Sequence, residues 1–263
     1  MTSSQRPEGV ATSESAVEGG VKERRRGPGP IFFVALAVAV VLSGTLAYDA
    51  IRNRDAQPGL QILRVSGIPA SVPTSTANLM ALSPVPHFLA PNFTLVDQHG
   101  KSMSLKSFRG RTVVLEFMDP HCVDICPIVS QEFVDAYHDL GAKASSVVFV
   151  AVNVNQYFTS VADMAKYSKE HGLNTIPSWH FFTGSVKDLK SIWHDYGILV
   201  EAPKPTSDII HTSVVYFIGP NGRKSYVGVP MDDHTAKGTS YLPANQLASW
   251  GRGIALVAQS LSH

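Results

Sequence analysis

The sequence predicts an α/β fold, a single mixed β-sheet with helices packed on both faces. Three features carry that expectation. Two apolar, β-branched runs, Thr112–Phe117 and Ser146–Val152, flank a segment where Val129, Phe133, Tyr137 and Leu140 recur at helical spacing, the order of a parallel βαβ unit. Further on, Thr212–Ile218 and Lys224–Val229 bracket Gly219-Pro-Asn-Gly222, a hairpin with a plain turn signal. Finally, Leu247, Trp250, Ile254, Val257 and Leu261 step by threes and fours, so a helix closes the domain.

Residues 1–30 are rich in Ser, Glu, Gly and Pro and lack apolar periodicity, which predicts a disordered cytoplasmic tail. Arg24–Arg26 then precede the apolar run Ile31–Leu42, which continues more weakly to Tyr48 with no charge from Gly27 onward. That length is near the lower limit for a membrane-spanning helix, and the basic flank predicts that its N-terminal side faces the cytoplasm. Residues 31–48 are therefore expected to be a single-pass transmembrane anchor in the cell membrane, with the C-terminal domain on the extracytoplasmic side. The rival is a cleaved signal peptide, for which Thr45-Leu-Ala47 is a poor small-residue site. Residues 49–85 carry scattered Pro, Ser, Thr and Asn with one short apolar patch at Leu60–Val65, and read as a linker. The folded domain is expected over 86–263. A formal charge of +1 implies no nucleic-acid partner.

Inside the domain, Pro91–Gly100 alternates apolar and polar residues and turns at His99-Gly100, so Met103–Leu105 is expected to return as a second strand. A weaker helix is expected from Val161 to His171, ended by Gly172. Val186, Leu189, Trp193 and Tyr196 predict another. No internal repeat is present.

Chemistry concentrates at Phe117–Pro127, F-M-D-P-H-C-V-D-I-C-P, which holds both cysteines of the chain. They lie where a strand turns into a helix. Proline suits the first helical turn, so Pro127 is expected to place Cys126 at or beside the N-cap. There the helix dipole and unpaired backbone N–H groups favour a thiolate, the form that attacks disulfides and binds metals. On a regular helix Cys122 and Cys126 would be i and i+4, with Cβ atoms about 5–6 Å apart. A disulfide wants roughly 3.5–4.5 Å. A local disulfide therefore needs an irregular first turn, whereas two thiolates sharing a metal ion tolerate the wider gap. A redox pair and a metal site both stay open, while two inert buried cysteines fit the helix-start position poorly.

The chain has ten histidines. His138, His171 and His194 fall on polar-rich helical patterns and read as solvated, His180 as strand-edge, and His87, His99, His234 and His263 as loop or terminal residues. His211 stands out because it opens the first strand of the hairpin, in Asp208-Ile-Ile-His-Thr-Ser-Val214.

The runs Ala90–Gly100, Leu105…Phe108-Arg-Gly110 and Val113–Phe117 resemble the opening of thioredoxin-like domains. The motif Cys122-Val-Asp-Ile-Cys126-Pro127, with His211-Thr-Ser before an apolar strand, resembles the Sco/SenC family over roughly residues 86–229. That resemblance implies a thioredoxin-like fold and one copper ion per chain, Cu(I) or Cu(II), held by Cys122, Cys126 and His211. It also implies delivery of copper to the binuclear copper site of cytochrome c oxidase, the partner being that copper-site subunit or another copper or thiol protein. Asp124 matches the acidic residue within the motif. Two soft thiolates suit Cu(I), and an added imidazole supports Cu(II). Zinc in a Cys₂His site is chemically open too.

The sequence departs from the family pattern around these residues. Val123 stands where members commonly have Pro. Asn153-Val-Asn-Gln-Tyr-Phe158 replaces an Asp-Pro segment with Arg and Asp, and Asp119-Pro-His121 replaces the usual Thr-x. Met118 and His121 read as a strand-end core residue and a loop histidine. The alternative function is a membrane-tethered thiol–disulfide oxidoreductase in which Cys122 and Cys126 cycle through a disulfide. A redox or copper sensor is a third reading, for which the tail shows no output domain. A peroxidase would need a Thr/Arg environment that cannot be assigned here.

Overall fold

A computed structural model of the chain describes residues 65–262. The expected tail, the apolar run at 31–48 and the first part of the expected linker lie outside the described residues. Among the described residues no helix is long and apolar enough to cross a membrane.

Helix α1 (Thr74–Leu79) is followed by strand β1 (Ser83–Pro84) and the antiparallel pair β2 (Thr94–Val96) and β3 (Ser102–Ser104). Next come β4 (Thr112–Met118), α2 (Ile125–Leu140), β5 (Val147–Asn153), α3 (Val161–Glu170), β6 (Trp179–Phe182) and α4 (Val186–Tyr196). Two short strands, β7 (Val200–Glu201) and β8 (Ile210–His211), pair with each other. Then β9 (Val215–Ile218) and β10 (Lys224–Gly228) form the expected hairpin, and a small ladder of β11 (Asp233–His234) and β12 (Ser240–Tyr241) precedes α5 (Ala244–Leu261). The main sheet runs β1-β10-β9-β4-β5-β6. Strands β4, β5 and β6 are parallel, and β9 and β10 fold back antiparallel beside β4. This is the thioredoxin-like arrangement that the sequence predicts.

Every residue of β4 and β5 is buried, as continuous apolar strands covered on both faces should be. Alternation divides β4 between two cores. Val114 and Met118 face a core with Val129, Phe133 and Ala136 of α2 and with Trp250 and Ile254 of α5. Val113, Leu115 and Phe117 face a second core with Phe182, Leu189 and Trp193. Helices α2 and α5 approach closely because position 251 is glycine: a Cβ there would sit 2.6 Å from Asp135 Cβ and 3.2 Å from the Glu132 carbonyl oxygen. Phe133 stands at the centre of this core, its ring 5.4 Å from Phe149 and 6.1 Å from Trp179. Phe133→Ala is expected to cost about 3–5 kcal/mol, read as a lower denaturant midpoint at unchanged slope.

Two expectations are corrected here. The linker does not extend to residue 85, because Val72, Met80 and Leu82 are buried in the same core as Phe133 and Trp250. The Ser/Thr/Pro composition of this stretch hides a short helix that buries Thr76 and Ala77, with Val72, Met80 and Leu82 buried on either side of it. Second, His211 does not open the hairpin strand. It belongs to β8, opposite Val200. Thr212 turns back on Leu199, donating its N–H to the Leu199 carbonyl at 3.0 Å and accepting the Leu199 N–H on Oγ1 at 3.2 Å. These bonds interrupt the strand before β9 begins.

Candidate metal centre

The site forms where β4 gives way to α2. Helix α2 starts two residues earlier than Pro127 suggests: Asp124 is the N-cap, Cys126 the second helical residue and Pro127 the third. The Asp124 side chain makes no capping bond. Instead the Cys126 N–H points at Cys122 Sγ, 3.4 Å away, so a sulfur takes the place that a serine or aspartate oxygen usually holds. Cys122 itself precedes the helix, tied by its N–H to the Asp119 carbonyl at 3.2 Å. This irregular turn brings the two thiols within hydrogen-bonding range of each other, which a regular i, i+4 pair would not achieve.

The two sulfurs are free and unequal. The Cys126 thiol donates to Cys122, and that bond, helped by the N–H groups of Cys126 and Asp124, holds the Cys122 thiol below its ordinary value against the opposing effect of burial. The same bond, with burial next, pushes Cys126 well up. A cleft of about 180 Å³ lined by Pro120, His121, Asp163, Tyr167 and His171 opens onto Cys122, whereas Cys126 is buried. Cys122 is thus the reachable, thiolate-prone sulfur. Val123, between them, is 82% exposed.

His211 is half-buried, and its Nδ1 lies 3.0 Å from the Thr212 carbonyl oxygen. A carbonyl only accepts, so Nδ1 carries the proton and the neutral ring offers its Nε2 lone pair, the form that ligates metals. Burial, set against the Thr212 bond and the Asp119 charge, holds the ring below its ordinary value and therefore neutral at pH 7. Asp119 is the common neighbour of all three expected ligands. Its charge acts on Cys122 and His211, and its backbone on Cys126. Even so, among the described residues no three His, Cys, Asp or Glu side chains are drawn close enough to hold a metal ion. The structure brings the two cysteines together and leaves His211 turned onto its own loop.

Several residues around the site escaped the sequence reading. Asp119 Oδ1 accepts from the His121 N–H and from Asn155 Nδ2, both at 2.8 Å. Asn155 in turn accepts the N–H groups of Tyr157 and Phe158 at 3.0 and 3.3 Å, so the segment that departs from the family pattern is an asparagine hub bracing Asp119. His121, which lines the cleft beside Cys122, stacks on Phe158 at 3.8 Å and reaches Asp163 at 3.6 Å. Met118 is the exception, a strand-end core residue as the sequence predicts, fully buried. Glu116, buried in β4, accepts from Ser213 Oγ at 3.2 Å and so grips the loop that carries His211, while its other oxygen has no partner. A lone glutamate within Val-Val-Leu-Glu-Phe was the available signal, since such a residue is rarely buried without a task.

Residues 84–236 match the SCO1/SenC family. The chain is 28% identical to the SCO1 protein homolog of Bacillus subtilis (strain 168) over 148 residues, which is 54% of this chain and 76% of the relative. It is 28% identical over 137 residues to the mitochondrial protein SCO2 homolog of Homo sapiens, spanning about half of that protein, 50%. Among solved structures, ScoI of Bradyrhizobium japonicum with copper bound superposes with a TM-score of 0.51 at 20% identity, covering 66% of this chain and 99% of that one. The likeness to this structure is one of fold.

Proposed function

The chain belongs to the SCO1/SenC family, and from that premise we propose that it is a membrane-anchored, copper-binding metallochaperone. It takes one copper ion through Cys122, Cys126 and His211 and delivers it to the copper-site subunit of cytochrome c oxidase. The anchor is the apolar run at 31–48, with the folded domain on the extracytoplasmic side.

The observation that carries this reading is the pair of reduced sulfurs at the head of α2, one of them thiolate-prone and reachable, with a neutral imidazole close enough to feel the same Asp119. Two soft thiolates and one borderline nitrogen are a donor set for copper in either oxidation state. Loading would bring the His211 ring to the sulfurs on a loop that Glu116 holds through Ser213.

The second reading, a thiol–disulfide oxidoreductase, has its own support in the inequality of the sulfurs. A Cys122 thiolate attacks a partner disulfide, and Cys126 then displaces the partner's dithiol, leaving Cys122 and Cys126 joined. His211→Ala separates the two readings. The variant keeps both thiols and the helix start, so exchange rates are expected to change little. The sulfur-to-copper charge-transfer band of the Cu(II) protein is expected to vanish, because the two thiolates then close to a disulfide by passing one electron to each of two Cu(II) ions of the loading solution, leaving Cu(I). Oxidase assembly in cells is expected to fail with it. Normal assembly by a variant lacking the band would favour the oxidoreductase.

A further inference from the structure

We propose that the end of the domain opposite the thiols is a membrane-docking face that seats an anionic lipid headgroup. The inference is independent of copper binding. Strand β4 runs from this end to the site: Val113 pairs with Ile218 at one end, and Met118 leads to Cys122 at the other, about 17 Å away at ~3.3 Å per residue.

At the Val113 end a cavity of about 220 Å³ opens over an apolar floor that includes Leu105, Phe108 and Val113. Its rim carries Lys106, Arg109 and Arg111, and no carboxylate lines it. Among the described residues none of these three cations takes part in an ion pair. The rim is fixed in place. Gly222 has φ +71°, and a Cβ there would fall on the Arg109 guanidinium. Gly110 donates its N–H to the Pro220 carbonyl at 3.0 Å, and the Arg111 guanidinium sits 5.6 Å from the Phe108 ring centroid.

Beside the cavity, Phe88 and Leu89 are 69% and 55% exposed. They are held there by firm backbone bonds: Lys224 N–H to the Phe88 carbonyl at 3.0 Å, and Ala90 N–H to the Gly222 carbonyl at 2.9 Å. An aromatic–aliphatic step beside uncompensated cations suits the boundary of an anionic bilayer, with the apolar pair entering the acyl edge and the cations meeting phosphates. A soluble anion would satisfy the cations and leave Phe88 and Leu89 in water, so the occupant is a lipid. Docked this way, the domain points its thiols away from the bilayer.

The test places the full chain carrying Phe88→Trp in nanodiscs with brominated acyl chains. The three native tryptophans are at most 5% exposed and stay constant reporters. The introduced indole is expected to be quenched in discs containing phosphatidylglycerol and not in phosphatidylcholine alone. Quenching is expected to be lost on adding Lys106→Glu and Arg109→Glu. It is also expected to be lost in about 1 M salt, where the Debye length falls to about 3 Å, a control that needs no second variant to fold. Equal quenching in neutral discs, persistence in the charge-reversed variant or at high salt, absence of quenching in anionic discs, or displacement by millimolar inorganic phosphate each overturns the proposal. Should the chain leave the discs, flotation with vesicles decides: binding to anionic vesicles alone supports the face, and no binding overturns it.

Discussion

Replacing Cys126 with serine is expected to abolish tight Cu(I) binding, and Cys122→Ser is expected to do the same. Each change removes one of the two thiols in the chain, and a neutral hydroxyl is a poor ligand for a soft ion. The loss should exceed the about 10–100-fold typical of disturbing a group behind a ligand, because a ligand itself is gone. The fold should tolerate both changes. Cys122 lies before the helix, and Cys126 is packed beside Ser130, whose hydroxyl bonds the Cys126 carbonyl at 2.8 Å whatever the side chain. The measurement is competition for Cu(I) against a chromophoric chelator, without oxygen, on reduced protein. A serine variant that still held one copper at undiminished affinity would move the site elsewhere. Metal analysis of the same samples also distinguishes copper from zinc.

Glu132→Leu is expected to stabilise the domain at neutral pH and to flatten its loss of stability with rising pH. Glu132 sits on the buried face of α2, and neither carboxylate oxygen has a hydrogen-bond partner. Burial, with the Asp135 charge adding to it, pushes its carboxyl well above the ordinary 4.5. A carboxyl raised in the folded state keeps its proton after the unfolded chain has lost it. Its contribution is therefore largest below about pH 4.5 and declines as pH rises toward the folded value, by about 1.4 kcal/mol per pH unit within that window. His171, His180 and His211 are held low and tilt the profile the other way. The difference in unfolding free energy between variant and wild type, followed from pH 5 to 8, isolates Glu132. A difference that stays flat with pH would mean that the carboxyl is not protonated in the fold.

The main elements were legible because their periodicities are strong. Thr112–Phe117 and Ser146–Val152 could only be buried strands, and the closing helix declared itself by threes and fours. The cysteine pair was legible for the same reason, since strand, motif and proline coincide. What stayed hidden depends on contacts between distant residues. Thr76 and Met80 lie in a polar stretch that looks like linker, and their burial comes from α5, where a Cβ on Gly253 would strike both. His211 looked like part of the hairpin because Thr-Ser-Val-Val-Tyr is a good strand. The bonds from Thr212 to Leu199 that detach it involve a residue thirteen positions away. Asp119 and Asn155 are ordinary polar residues in sequence and become partners only once β4 and β5 lie side by side.

The packing of α5 also bears on how the domain is made. Thr112, the first residue of β4, donates its hydroxyl to the carbonyl of Ala258 at 3.3 Å, a contact spanning 146 residues. Helix α2, which carries Cys126, has its main helical neighbour at the far end of the chain as well. At roughly 5–20 residues per second of synthesis, on the order of ten seconds separate the completion of α2 from the arrival of α5. Through that interval the core around Phe133 stands open, and both cysteines belong to an incomplete fold. On the proposed extracytoplasmic side, a nascent chain would meet oxidants before α5 encloses Cys126, which would make the order of folding, oxidation and copper loading a kinetic contest set by that helix.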